Sequence, residues 1–195
     1  MTIAVTYFDD KIWFESGVNW LRHAKSAGYT GFIVQKNLAK EAVTKCNDLG
    51  FDVVPLIENS YTRYDFYSTF FENLKTNESC LVTIPNTLPK KIDAIDSDCM
   101  CHQSDKNIYQ IITPVSKLQD RADIFPLLEN VKKTYSNFFS ADSIFGNYDF
   151  WSNFLKFQNY LMQKNYLEAN PEYDDFALNF FLANINSIKI KKWIN

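Results

Sequence analysis

Three short apolar runs separated by two helix-length stretches occupy the first 57 residues, and that alternation constrains the fold more than any other feature of the chain. IAVTYF (residues 3–8) is apolar enough to be a strand buried on both faces, as the central strands of a parallel sheet are. Residues 16–27 place Val18, Leu21 and Ala24 at helical spacing with Trp20 beside them, Ser16 able to cap the start and Gly28 the end. GFIVQ (31–35) predicts a second strand, residues 38–49 a second helix stopped by Gly50, and DVVPLI (52–57) a third strand. A β-α-β-α-β order this tight requires parallel strands joined by right-handed crossovers, which is half of an α/β sheet with helices on both faces.

The remainder continues the alternation. Residues 64–74 (YDFYSTFFENL) predict an aromatic helix, 80–84 (CLVTI) a strand, 109–113 another strand, and 124–135 a helix. SADSIFG (140–146) predicts a strand or turn leading into a helix over 148–163. A further helix opens on Asn170 and Pro171, and residues 188–193 alternate as a half-exposed final strand. With 195 residues, 46% apolar content, few glycines and prolines, and no repeat or linker, the expectation is one α/β domain over 1–195. Its sheet is expected to be mostly parallel. The dense aromatics of residues 138–166 fall at helical spacings and predict core before a stacking surface.

Several function classes are disfavoured. A net charge of −3 with scattered Lys and Arg offers no basic stripe, so nucleic acid is not an expected partner. No window approaches the ~20 apolar residues of a membrane span, and a soluble, cytoplasmic protein is expected. Cys46, Cys80, Cys99 and Cys101 are expected as reduced thiols. Cys99, Cys101 and His102 do not have the pairing of a structural zinc site, and His102 is expected in a loop. Neither a Gly-x-Gly-x-x-Gly after the first strand nor a P-loop is present. Ligands of such a sheet collect beyond the carboxyl ends of its strands, here residues 6–10, 35–37 and 58–63.

KKIDAIDSD (90–98) is the stretch with the clearest chemical content. If its apolar residues end a strand, Asp96 and Asp98 at i and i+2 emerge on one face and can share a hard cation, Mg²⁺ or Mn²⁺, with open positions for phosphates. A solvated acidic surface loop is the alternative reading.

Taken in order, these fragments resemble the GT-A nucleotide-diphospho-sugar transferases, most nearly the glycogenin-like and bacterial galactosyltransferase-like enzymes. The likeness is carried by VTYFDD (5–10), SYTRYDF (60–66), the Asp-Ser-Asp at 96–98, FFSADSIFGNYDFWSNFL (138–155), YDDFALNFF (173–181) and IKIKKWIN (188–195). It implies a nucleotide-binding half at 1–98 and an acceptor-side half at 99–195, and a donor nucleotide beside Thr6, Tyr7 and Phe8, with Arg63 toward its phosphates. It also implies Mn²⁺ or Mg²⁺ on Asp96 and Asp98, and Asp142, Asp174 and Asp175 facing sugar hydroxyls or the acceptor. One departure stands out: those enzymes carry their Asp-x-Asp directly after the strand that follows the aromatic helix, where this chain has Pro85, Asn86 and Thr87. The resemblance therefore implies a metal-assisted glycosyltransferase using a nucleotide-sugar donor and a glycan or other acceptor. A non-catalytic sugar-nucleotide or glycan-binding module and a nucleotidyltransferase are the alternatives.

Overall fold

The computed structural model describes residues 2–57, 62–93, 96–103, 126, 129–130, 139–164, 172–185 and 189–193. The expected strand at 109–113, the helix at 124–135 and the Asn170–Pro171 helix start lie outside the described residues, apart from single positions in the second of these.

β1 (Thr2–Asp9), β2 (Thr30–Lys36), β3 (Phe51–Pro55), β4 (Ser79–Thr83), β5 (Cys99–Gln103), β6 (Phe139–Asn147) and β7 (Ile190–Trp193) form one seven-stranded sheet in the order β3-β2-β1-β4-β6-β5-β7. β1 pairs in parallel with both β2 and β4, and β2 with β3. β6 is antiparallel to β4 and to β5, and β7 runs parallel to β5. All strands except β6 thus share one direction, so the sheet is the mostly parallel one expected.

Period-2 alternation divides the core. Ile3 and Val5 of β1 face a cluster built with α4 (Thr62–Asn73), α5 (Tyr148–Gln163) and α6 (Glu172–Asn184), while Ala4 and Phe8 face a second cluster built with α2 (Val18–Ser26) and α3 (Lys40–Asp48). Helices therefore cover both faces. Gly28 and Gly50 end α2 and α3 at positive φ (83° and 85°), the left-handed conformation that glycine adopts without a Cβ clash.

The first helical segment starts earlier than expected. Asp9, rather than Ser16, is its cap: Asp9 Oδ1 accepts from Ile12 N at 2.8 Å and starts the short α1 (Asp10–Ile12). A π-helical turn, Trp13–Gly17, connects it to α2, and Ser16 Oγ donates back to Ile12 O inside this turn. α5 matches its expected bounds, with Asn147 Oδ1 accepting from Phe150 N at 2.8 Å. β5 is a strand where the sequence predicts a loop, and His102 belongs to it, paired with Ser140 and Trp193.

Among the described residues no helix is long and apolar enough to cross a membrane. All four cysteines are free thiols and buried.

Candidate functional site

β1 connects onward to β2 on one side, whereas its other neighbour is β4, so the strand order switches direction between β1 and β4. The crevice beyond the carboxyl ends of those two strands is where an open α/β sheet offers room for a ligand. Its floor is fastened by buried polar contacts. Thr6 Oγ1 donates to Thr83 O at 2.8 Å, and Trp20 Nε1 donates to Thr83 Oγ1 at 2.7 Å. The first bond extends the β1–β4 connection beyond its last ladder pair, Val5 with Val82, and the second ties α2 to β4.

Thr6 and Phe8 are both fully buried, and Phe8 packs edge-on against Trp13 and Trp20. Trp13, in the turn from α1 into α2, packs over this side of β1 and covers the Phe8 ring. Tyr7, on the other face, is partly buried. Arg63 lies in the first turn of α4, and its side chain is outside the described residues. Asp9 and Asp10 sit at the mouth and act as helix caps. Asp10 Oδ1 accepts from Ala39 N at 2.7 Å and so caps α3, whose own N-cap residue, Ala39, has no side-chain oxygen.

β6 borders the crevice next to β4 and carries the most distinctive geometry of the edge. Cys101 pairs with Ile144, but His102 pairs with Ser140, so one step along β5 spans four along β6 and residues 141–143 bulge. On its other side β6 stays bonded to β4, with Ile84 N donating to Asp142 O at 2.9 Å. The result is an exposed Asp142 between buried neighbours, Ala141 and Ser143. A bulge of this kind re-aims a side chain that the regular pleat would hold elsewhere.

Side chains of α6 satisfy the backbone that the bulge frees. Asp175 Oδ1 accepts from Ala141 N at 2.7 Å. Asn179 Oδ1 accepts from Phe139 N at 2.9 Å while its Nδ2 donates to Phe139 O at 2.8 Å, as a neighbouring strand would. Of the three expected acidic residues, the structure thus brings Asp142 and Asp175 to the bulge, and Asp174 is buried in α6. The sequence pattern alone does not mark Asn179 or His102 for this edge. Asn179 follows Asp175 by one helical turn, and CMCHQ alternates with both cysteines buried, which are the signals that identify them.

The structure does not bring Asp96 and Asp98 to this edge. β5 runs in the same direction as β4, so the chain leaving β4 must return across the sheet before β5 can begin. Asp96 and Asp98 therefore stand before the amino end of β5, at the opposite edge. Both carboxylate oxygens of Asp98 are engaged there: Oδ2 accepts from Lys189 N at 2.9 Å and Oδ1 from Asn147 Nδ2 at 3.2 Å. Asp98 N also donates to Lys189 O at 3.0 Å, and Asn147 N to Asp98 O at 3.0 Å. Asp96 is exposed and lies 4.0 Å from Lys191 Nζ.

Known structures sharing this arrangement include the galactosyltransferase LgtC in complex with donor and acceptor sugar analogs (TM-score 0.54, 10% identity, 98% of this chain and 73% of that one). An active-site mutant of LgtC is similar at TM-score 0.53 and 11% identity, covering 98% and 72%. CMP:2-keto-3-deoxy-manno-octonic acid synthetase complexed with CTP is similar at TM-score 0.52 and 9% identity, covering 98% and 88%. The chain has the nucleotide-diphospho-sugar transferase fold. At these identities the likeness is one of fold, and it extends over nearly the whole chain. No protein-family model matches the sequence, and no curated protein does.

Proposed function

We propose that the chain is a nucleotide-sugar-using transferase whose donor binds across the carboxyl ends of β1 and β4. The observation that carries this reading is the bulge of β6, which turns Asp142 out of an otherwise buried strand beside that crevice. A carboxylate held out at this point is suited to accept hydrogen bonds from sugar hydroxyls, and Asp175 and Asn179 fix the strand just before it at Ala141 and Phe139. Tyr7 and Arg63 are the proposed contacts for the nucleotide, the ring beside the base and the guanidinium toward the phosphates. The acceptor is a glycan or another hydroxyl-bearing molecule.

Calorimetric titration with UDP, GDP, CDP and CTP, and with the corresponding nucleotide sugars, tests this reading. A nucleoside diphosphate and its sugar conjugate should bind, and Asp142→Asn should weaken the conjugate more than the bare diphosphate. Equal weakening of both would remove Asp142 from the sugar side.

The nucleotidyltransferase alternative is favoured by one observation, the likeness to a synthetase solved with CTP that covers 88% of that enzyme. Under that reading a nucleoside triphosphate binds and the diphosphate does not, and pyrophosphate is released on adding a sugar acid.

A further inference from the structure

Resting on the transferase reading above, we infer that Asn86 is a second sugar-reading residue, paired with Asp142 across the boundary between β4 and β6. β4 leaves the sheet through Ile84, Pro85, Asn86 and Thr87. Thr87 N donates to Ile84 O at 3.0 Å, closing a tight turn with Pro85 and Asn86 at its centre. The turn stands beyond the carboxyl end of β4, the strand that lies between β1 and β6 in the sheet. One bond fixes it against the bulge: Ile84 N donates to Asp142 O at 2.9 Å, one step past the last ladder pair, Thr83 with Ser143.

Exposure singles out the same two residues. Along 80–89 Asn86 alone is exposed, with Pro85 and Thr87 half-buried and Pro89 buried; along 139–146 Asp142 alone is exposed. The chain running on from Asn86 is tied down as well. The buried Tyr29 donates its hydroxyl to Lys90 O at 2.9 Å and accepts from Ile92 N at 3.1 Å. Asn86 therefore rides on a turn anchored on both sides, a placement that lowers the ordering cost of binding. The backbone does not ask for asparagine there: among the described residues Asn37 is the one non-glycine with positive φ, so alanine fits the conformation at 86. What the amide adds is chemistry. The ionised Asp142 carboxylate only accepts, whereas Asn86 donates through Nδ2 and accepts through Oδ1. Together they match neighbouring hydroxyls of one sugar ring, each of which donates and accepts. The part of the ligand read here is the hydroxyl-bearing ring of the nucleotide sugar.

The test is calorimetric titration of wild type and Asn86→Ala, in buffer containing MgCl₂, with UDP, GDP and CDP beside UDP-glucose, UDP-galactose, GDP-mannose and CDP-glucose. Asn86→Ala should weaken the conjugate about three- to tenfold, the range of one hydrogen bond, and leave the bare diphosphate within about twofold of wild type. Asn86→Ser, whose side chain also suits a turn, is the second variant and should show the same selective loss. A loss no larger for the conjugate than for the diphosphate, or no loss at all, overturns the inference. The transferase reading, which is tested at Asp142, then stands. If no conjugate binds the wild-type chain, the two fall together.

Discussion

Asp98→Ala separates a structural carboxylate from a ligand-binding one. The side chain joins three strands at the amino edge of the sheet, because its oxygens accept from Lys189 N ahead of β7 and from the side chain of Asn147 at the end of β6. Hydrogen bonds to a charged group contribute about 1.5–3 kcal/mol each when sheltered. The Lys189 bond is solvent-exposed and the Asn147 bond only partly buried, so the lower end applies and the pair is worth roughly 2–3 kcal/mol together. For a chain of 195 residues each kilocalorie shifts the melting temperature by about 2–4 °C, which places the Asp98→Ala melt about 4–12 °C below wild type. Asp96→Ala is the control: its contact with Lys191 is 4.0 Å long and exposed on both sides, so the melt should barely move. Differential scanning calorimetry without ligand, supported by urea titration, reads both variants. An Asp98→Ala melt that matches wild type would refute the reasoning. A wild-type melt raised by Mn²⁺ plus nucleotide, with that increment lost in Asp98→Asn, would return this carboxylate to metal binding.

Three further outcomes follow from the packing. Gly146→Ala drives a Cβ into Phe150 Cδ1, on a ring buried against Trp151, Phe154 and Phe181, and should cost about 1–3 kcal/mol in urea unfolding. Asn179→Ala strips the paired bonds from Phe139 and should cost about 2–3 kcal/mol, with faster hydrogen exchange at the Phe139 amide while β1 and β2 stay protected. Burial pushes the Cys46 thiol from 9.0 up to about 11 and the Tyr29 hydroxyl from 10.0 up to about 12, so the folded chain keeps protons that the unfolded chain releases. Stability that is complete below about pH 9 should fall as pH rises through these values, and Cys46→Ala and Tyr29→Phe should each make the fall in urea-derived stability shallower.

Local signals account for what was legible in the sequence. The first three strands and α5 were readable because alternation, helical spacing and a stop residue agreed within each segment, and Asn147 marks the start of α5. Asp9 carries the same kind of capping signal for α1, but in sequence it reads equally well as the closing residue of β1. β5 is obscured because its five residues, CMCHQ, combine thiols and an imidazole that invite a metal-ligand reading, while the pleat uses Cys99 and Cys101 simply as small buried groups. The position of Asp96 and Asp98 is beyond any local pattern. Spacing places both on one face of an extended chain, but which edge that chain reaches depends on β6 running against β4 and β5 running against β6.

The same non-local logic explains the aromatic density between α5 and α6. Phe150, Trp151, Phe154, Phe176, Phe180 and Phe181 are all buried, so they present no stacking platform to a sugar. Ring contacts of Phe150 and Phe154 with Phe181, and of Phe157 with Phe180, instead fix how α6 lies against α5. That placement is demanding, because Asp175 and Asn179 reach the backbone of β6 at 2.7–2.9 Å and a small slide of the helix would break every one of these bonds. Without them the amides of Phe139 and Ala141 would lose these acceptors, and the bulge that exposes Asp142 would lose its advantage over a regular pleat. The aromatic core therefore acts on the crevice through α6. Substitutions that loosen it should disturb Asp142 before they disturb the β1–β4 floor, which Thr6, Thr83 and Trp20 hold independently.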